Sequence, residues 1–177
     1  MKLLNRFFCL WILLSVGCQP DSKPQNQKND HELILMAARE IILASGKCAL
    51  ITLDERGLPQ VRTMDPFEPE NDFTIWLATN PKSRKVNQIR NNPNVTLFYA
   101  DKNDNGYVSI YGTAELVNDQ KEKNKRWKEE WKGFYPNREE AYLLIKVIPF
   151  RMEFINYKAG HAGDPITWQP EIVLFNN

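Results

Sequence analysis

The sequence predicts a mainly β protein, a six-stranded antiparallel β-barrel flanked by short α-helices. Short apolar segments with strand alternation recur along the chain, and polar turn sequences such as residues 54–57 and 101–106 separate them. The helical patterns between the strands are few, which favours hairpin-type connections. With 177 residues the chain has room for one domain with a sizeable core.

The predicted elements can be read in chain order. A first helix opens at a capping box formed by Asn29 and Glu32 and ends at Gly46. Gly112 is expected at a β-bulge or a bend in the fifth strand, and residues 151–157 continue the sixth strand or pair after Pro149. The six strands are predicted at residues 48–53, 59–64, 73–79, 95–99, 107–117 and 142–148.

The N-terminal segment has the pattern of a targeting signal. Lys2 and Arg6 precede an apolar run at residues 7–16, which is too short to span a bilayer comfortably. The following Leu-Ser-Val-Gly-Cys resembles a bacterial lipobox. This resemblance implies a lipoprotein signal peptide at residues 1–17, lipidation of Cys18 and a lipid-anchored protein of the cell envelope, at the outer membrane or the periplasmic face. An ordinary cleaved secretory signal or an uncleaved anchor remains the alternative.

Composition limits the partners and the covalent chemistry. The whole chain has 23 basic and 22 acidic residues, and loss of the leader with Lys2 and Arg6 leaves 21 against 22, so no general attraction to nucleic acid is expected. Residues 19–29 contain no apolar side chain, and we expect residues 18–29 to form a flexible tether. Cys48 is then the only cysteine left for the folded domain, where its apolar strand pattern predicts a small core residue.

The third predicted strand runs directly into a basic helix. Asn80 is a suitable N-cap and Pro81 suits the first helical position, so the first-turn amides are expected to point outward. Ser83 adds a hydroxyl there, while Lys82, Arg84 and Lys85 add three cations. Cations at a helix N-terminus oppose the helix dipole unless an anion joins them, so we predict a phosphate site. A capped surface helix with a solvated basic face remains the alternative.

Four motifs follow one another along the chain: Gly-Leu-Pro-Gln-Val-Arg-Thr-Met at 57–64, the segment 79–93, Gly-Thr-Ala-Glu at 112–115, and Val-Ile-Pro at 147–149 with Glu153 and Phe154. Their order resembles the FMN-binding split-barrel superfamily related to pyridoxamine 5'-phosphate oxidase. The similarity runs from about residue 31 to residue 157, and it looks closest to the general stress protein branch. It implies a six-stranded antiparallel split β-barrel of FMN-binding type at residues 30–177, and a homodimer with FMN at its interface.

Carried over to this sequence, the resemblance implies specific cofactor contacts. Arg62 and Lys85 would be phosphate cations, with Ser83 and Arg84 beside them. The remaining implied contacts, which line the flavin ring and ribityl chain, are Thr63, Met64, Ala78 and Thr79. For Arg62 a surface charge on a half-exposed strand is the alternative.

Other features narrow the activity. The tail has no basic pair to grip a substrate phosphate, so true pyridoxamine 5'-phosphate oxidase activity is not expected. No metal cluster and no catalytic acid or base stand out, and His161 has the pattern of a surface histidine. Trp127 and Trp131 would share one face of a helix ending at Lys132, where packing is favoured over flavin stacking.

The sequence therefore predicts a flavin-dependent oxidoreductase or general stress protein of unknown substrate. Two alternatives stay open at this point. One is a non-catalytic flavin-binding or stress-response module, and the other is a split barrel that uses deazaflavin F420 or haem.

Overall fold

A computed structural model describes residues 23–176 of the chain, with side chains from residue 29 onward. The predicted signal peptide and Cys18 lie outside the described residues. A 3₁₀ helix at Glu129–Gly133 accompanies the following elements: α1 (Lys23–Ser45), β1 (Cys48–Leu53), β2 (Pro59–Met64), β3 (Ile75–Thr79), α2 (Arg84–Asn91), β4 (Asn94–Ala100), β5 (Gly106–Val117), α3 (Gln120–Lys125), α4 (Arg138–Ala141), β6 (Leu143–Asn156) and β7 (Glu171–Leu174).

The strands form one antiparallel sheet in the order β2-β1-β4-β5-β6-β3, and β7 pairs with the second half of β6. A bridge between Pro66 and Leu77 joins the chain just after β2 to β3, so the two ends of the strand order meet. We call this contact, between residues 63–66 and residues 77–79, the seam. The mainly β antiparallel split barrel predicted from the sequence is confirmed, with β7 as one strand more than the predicted six.

The barrel interior follows from strand alternation, because paired residues point to the same face of the sheet. One such row crosses β1, β4, β5 and β6, and its apolar members are fully buried. Arg62 pairs with Leu50 and so occupies the β2 end of this row. The apolar members of the row are Leu50, Leu97, Ile110 and Met152.

Helix α1 covers one end of the barrel. Its apolar residues Ala37, Ala38, Ile41 and Ile42 are buried against the sheet. The helix begins at Lys23, so the predicted helix start at Asn29 is wrong by six residues. A helix already held by packing extends easily into a polar stretch that contains no proline after its first turn.

The predicted bulge in β5 is confirmed. The β5–β6 register shifts between Tyr111 and Gly112, where Gly112 faces Pro149 within a continuous β6. A Cβ at Gly112 would lie 2.6 Å from the carbonyl oxygen of Ile148, which is closer than van der Waals contact allows. Glycine is therefore needed at this close approach of the two strands.

The single helix predicted to end at Lys132 is wrong. Asp119 does cap α3 by accepting a hydrogen bond from the Glu122 amide at 2.9 Å, but α3 ends at Lys125 and the chain continues as an extended segment into the 3₁₀ helix. The break places the Arg126 side chain inside, where it pairs with Glu70 at 2.6 Å and lies 3.6 Å from the centre of the Trp76 ring. The helix is therefore interrupted at the point where the Arg126 guanidinium is buried with its partners.

Candidate functional site

A cavity of about 420 Å³ lies along the seam. Its walls come mainly from the end of β2, from β3, from the turn into α2 and from the chain around the 3₁₀ helix. The two residues Arg62 and Arg84 are not part of its lining, although the sequence predicts them there. The structure brings together the other six predicted residues, Thr63, Met64, Ala78, Thr79, Ser83 and Lys85.

One end of the cavity is polar and carries a positive charge. The Lys85 ammonium donates a hydrogen bond to the Thr79 hydroxyl at 3.1 Å, and that hydroxyl lies 3.0 Å from the Ser83 hydroxyl. Partial burial, and then the positive charge of Arg62, lower the pKa of Lys85 below its usual value. This end of the cavity therefore disfavours the charge on Lys85 until an anion is present.

Helix α2 begins at this polar end, three residues later than predicted. Its N-cap is Ser83, not Asn80, and the Ser83 hydroxyl makes no capping hydrogen bond. Asn80 instead closes a turn, since its side chain accepts from the Lys82 amide at 2.8 Å and its carbonyl oxygen accepts from the Ser83 amide at 3.0 Å. The Ser83 hydroxyl is thereby directed to Thr79 and the cavity, next to the uncapped first turn of α2.

Arg62 lies behind the cavity wall, between the barrel and α2. Its guanidinium donates to the Leu50 carbonyl oxygen at 3.2 Å, to the Thr52 hydroxyl at 2.6 Å and to the Gln88 side-chain oxygen at 2.9 Å. Burial, and then the charge of Arg84, lower its pKa. The side chain is thus half-buried and held by neutral acceptors, so Arg62 is not simply a solvated surface charge.

Arg84 is exposed and lines a separate, polar groove of about 560 Å³. Arg56, Asn87 and Gln88 line the same groove. Gln88 therefore lies between this groove and Arg62, and the groove borders the back of the cavity wall.

The cations around the start of α2 have no acidic partners. Among residues 29–176, no carboxylate lies within 4.0 Å of the charged nitrogens of Arg62, Arg84 or Lys85. Their charges add to the positive end of the α2 dipole, which is an unfavourable arrangement in the free protein. An oxyanion at the polar end of the cavity would offset the charge of Lys85 and the positive end of the α2 dipole.

The opposite wall is aromatic, and the sequence-based reasoning did not assign it to the site. Trp131, Phe134 and Tyr135 line the cavity, and Phe134 is 77% exposed. Trp131 packs edge-on against Trp127 with 6.4 Å between ring centres, so the predicted packing role of this pair is consistent with the structure. Burial raises the pKa of Tyr135 to about 12, so its hydroxyl stays protonated at neutral pH. The sequence signal that could have indicated this wall is the spacing of Trp127, Trp131 and Tyr135, which lie four positions apart.

Asp65 anchors this aromatic wall to the seam. Its carboxylate accepts from the Trp131 indole nitrogen at 2.9 Å and from the Lys128 ammonium at 3.0 Å, and it pairs with Lys47 at 3.3 Å. Burial alone would raise the pKa of Asp65, but the hydrogen bonds from Lys128 and Trp131 hold it below its usual value. The ionised carboxylate therefore fixes Trp131 at neutral pH.

Two other predicted features can be compared with the structure. Cys48 is buried, and burial raises the pKa of its thiol to about 12, which excludes a thiolate nucleophile at neutral pH. His161 is not a loose surface residue, because its Nδ1 lies 2.7 Å from the Glu171 carboxylate that enters with β7.

The described part of the chain holds no cluster of three His, Cys, Asp or Glu side chains suited to a metal, and none of its helices is long and apolar enough to cross a membrane.

The sheet order, the seam and the short helices define a split-barrel protein. The chain belongs to the family described as pyridoxamine 5'-phosphate oxidase like, whose model matches residues 35–160.

Individual relatives are similar over most of the domain. General stress protein 26 of Bacillus subtilis (strain 168) is 25% identical over 107 residues, covering 59% of this chain and 75% of that protein. The crystal structure of general stress protein 26 from Bacillus anthracis str. Sterne is similar with a TM-score of 0.64 and 27% identity, covering 80% of this chain and 98% of that chain. A heme binding protein from Mycobacterium smegmatis shares the fold with a TM-score of 0.58 and 13% identity, covering 78% of this chain and 56% of that chain.

Proposed function

We propose that this chain binds FMN in the seam cavity, with the phosphate at the start of α2. The observation that carries the proposal is the group of cations without acidic partners, Lys85 in the cavity and Arg62 and Arg84 behind it. A flavin phosphate bears nearly two negative charges at neutral pH, and it would offset both these cations and the α2 dipole.

The cavity also suits the rest of a flavin. Its volume of about 420 Å³ lies within the range of small-molecule sites. Ala78 and Met64 add apolar surface to the lining that contains Lys85, and Trp131 and Tyr135 add aromatic surface. A planar ring with a phosphate on a flexible chain suits this combination of apolar and cationic surfaces.

The activity proposed is flavin-dependent oxidoreduction with an unassigned substrate, or a stress-response role that uses the same bound flavin. When bound, FMN would supply the redox chemistry. The residues of this chain hold the phosphate through Lys85, Thr79 and Ser83 and limit water access through the aromatic wall. No catalytic acid or base is assigned.

A homodimer with the ligand at its interface is part of the proposal. Thr63, at the cavity, begins an outward-facing row that continues through Ala49, Phe98, Ser109 and Glu153 to Ile172. Phe98 and Ile172 are 38% and 40% exposed, so this face offers apolar area that a second copy would cover. Sedimentation of the wild type and of Phe98→Glu tests this, since the variant should be monomeric.

We also propose that Cys18 carries lipid and anchors the domain to the cell envelope. The lipobox-like residues 14–18 support this proposal. Cys18→Ser should move the protein from the membrane fraction to the soluble fraction, and an unchanged distribution would contradict the anchor.

Deazaflavin F420 is a second candidate, because it also carries phosphate on a ring-bearing ligand and would use the same cations. Haem is less well supported, since His31 and His161 do not line the seam cavity. The absorbance spectrum and the mass of the ligand released from purified protein distinguish the three.

The decisive experiment is a titration of the purified protein with FMN, in which the quenching of flavin fluorescence measures binding. Lys85→Ala should weaken FMN binding about tenfold or more, because a charge-assisted contact to the phosphate is lost. Arg90→Ala removes a positive charge from the other end of the same helix and should leave the affinity within about twofold. A wild-type protein that binds no FMN, or equal affinities for the two variants, would overturn the proposal.

A further inference from the structure

Arg62 is part of a closed hydrogen-bond triangle. The guanidinium donates to the Thr52 hydroxyl at 2.6 Å and to the Gln88 side-chain oxygen at 2.9 Å, and the Thr52 hydroxyl in turn donates to the same Gln88 oxygen at 2.7 Å. Thr52 is only 1% exposed, so the triangle is sheltered from water. These three contacts join β1, β2 and α2 at one point.

The triangle holds a charge without neutralising it. Every acceptor that contacts Arg62 is neutral, namely a backbone carbonyl, a hydroxyl and an amide oxygen. A guanidinium has five N–H donors, and these bonds use three of them. Among residues 29–176, the Arg62 Nε makes no hydrogen bond, so this donor is free for a ligand.

Gln88 also sets the position of Arg62 relative to Lys85. Lys85 and Gln88 are three residues apart on α2, so their side chains share one face of the helix. Lys85 lies on the cavity side of this face, and Gln88 holds the guanidinium one turn further along. The arrangement keeps two positive charges close together in spite of their repulsion.

We propose that Gln88, with Thr52, is a positioning residue that holds Arg62 as a full positive charge toward the phosphate site, so that the site selects phosphorylated over unphosphorylated flavin. This inference rests on the proposed function. The chemistry behind it is simple: an amide at position 88 orients a guanidinium, whereas a carboxylate there would neutralise it.

A merely structural role for the triangle makes a different prediction. If the triangle only ties α2 to the barrel, changes at Gln88 should affect all ligands of the cavity equally, through stability or shape. If it supplies charge to a phosphate, the changes should depend on whether the ligand carries one. Riboflavin has the same ring as FMN without the phosphate, so the ratio of the two affinities separates the two roles.

The experiment measures FMN and riboflavin dissociation constants for the wild type, Gln88→Glu and Asn87→Asp. Gln88→Glu keeps the size and one acceptor oxygen but pairs Arg62 with a carboxylate, and we expect FMN binding to weaken about tenfold or more with riboflavin binding within about twofold. Asn87→Asp adds the same charge on the exposed side of α2 and should change the FMN affinity by less than about threefold. Thermal melting checks that each variant is folded.

Each outcome decides between the interpretations. A parallel loss of FMN and riboflavin binding in Gln88→Glu would assign the triangle a structural role and overturn the inference while leaving the proposed function intact. An equal loss of FMN binding in Asn87→Asp would reduce the effect to general electrostatics and overturn it as well. A wild-type protein that binds neither flavin overturns both the proposed function and this inference.

Discussion

The buried thiol of Cys48 makes the stability of the barrel depend on alkaline pH. The side chain is 3% exposed at the start of β1, and burial raises its pKa from the model-peptide value of 9.0 to about 12. In the unfolded chain the thiol ionises near pH 9.0, whereas in the folded chain it stays protonated. The folded state therefore binds more protons over this interval, and stability that is fully present below pH 9.0 is lost as the pH rises toward 12.

The magnitude follows from the two pKa values. Between about pH 8 and about pH 10 the Cys48 contribution to the free energy of unfolding should fall by about 1.4 kcal/mol. Cys48→Ala removes the titrating group and leaves only a small cavity. Its unfolding free energy should consequently decline less over the same interval, by about that amount, whatever its absolute stability is.

Urea denaturation followed by tryptophan fluorescence measures this difference. Wild type and Cys48→Ala are compared at the two pH values, so that the other titrating groups cancel in the comparison. Equal pH dependence of the two proteins would refute the reasoning, since it would mean that the thiol ionises in the folded state as easily as in the unfolded one.

Two further predictions concern the site and its support. Phosphate-bearing flavin should bind more weakly as the pH rises through the lowered pKa of Lys85, because Lys85 loses its proton in the free protein but keeps it beside a bound dianion. Calorimetric titration at about pH 8 and about pH 10 measures the two affinities, and the affinity of Lys85→Met should change little between them. Arg126→Met breaks the contacts of the guanidinium with Glu70 and the Trp76 ring, and it should lower the free energy of unfolding by about 2 kcal/mol in urea denaturation, with unchanged stability contradicting it.

Strand positions could be predicted from the sequence because they depend on local alternation. The bulge at Gly112 could also be predicted, since a glycine within a long strand has few other causes. The starts of the helices were less accessible. The N-cap of α2 is Ser83 and not Asn80 because Asn80 forms a turn of its own, which two candidate capping residues three positions apart do not reveal.

The site was predicted in part for the same reason. Lys85, Ser83 and Thr79 lie within one strand-helix turn, so their proximity is local. The aromatic wall and Asp65 come from segments more than sixty residues apart, and their contact depends on the break after α3. Similarly, the neutral acceptors around Arg62 lie on other elements, and only the tertiary structure brings them together.

The seam gives the barrel a discontinuity with a mechanical consequence. Thr63 and Met64 lie on one edge of the sheet and Ala78 and Thr79 on the other, and between those edges the described residues show a single backbone bridge, at Pro66 and Leu77. A ligand bound between the two edges would hold them together, because its contacts with each edge would add to that single bridge. Ligand binding should then slow deuterium uptake by the backbone amides along both edge strands, β2 and β3.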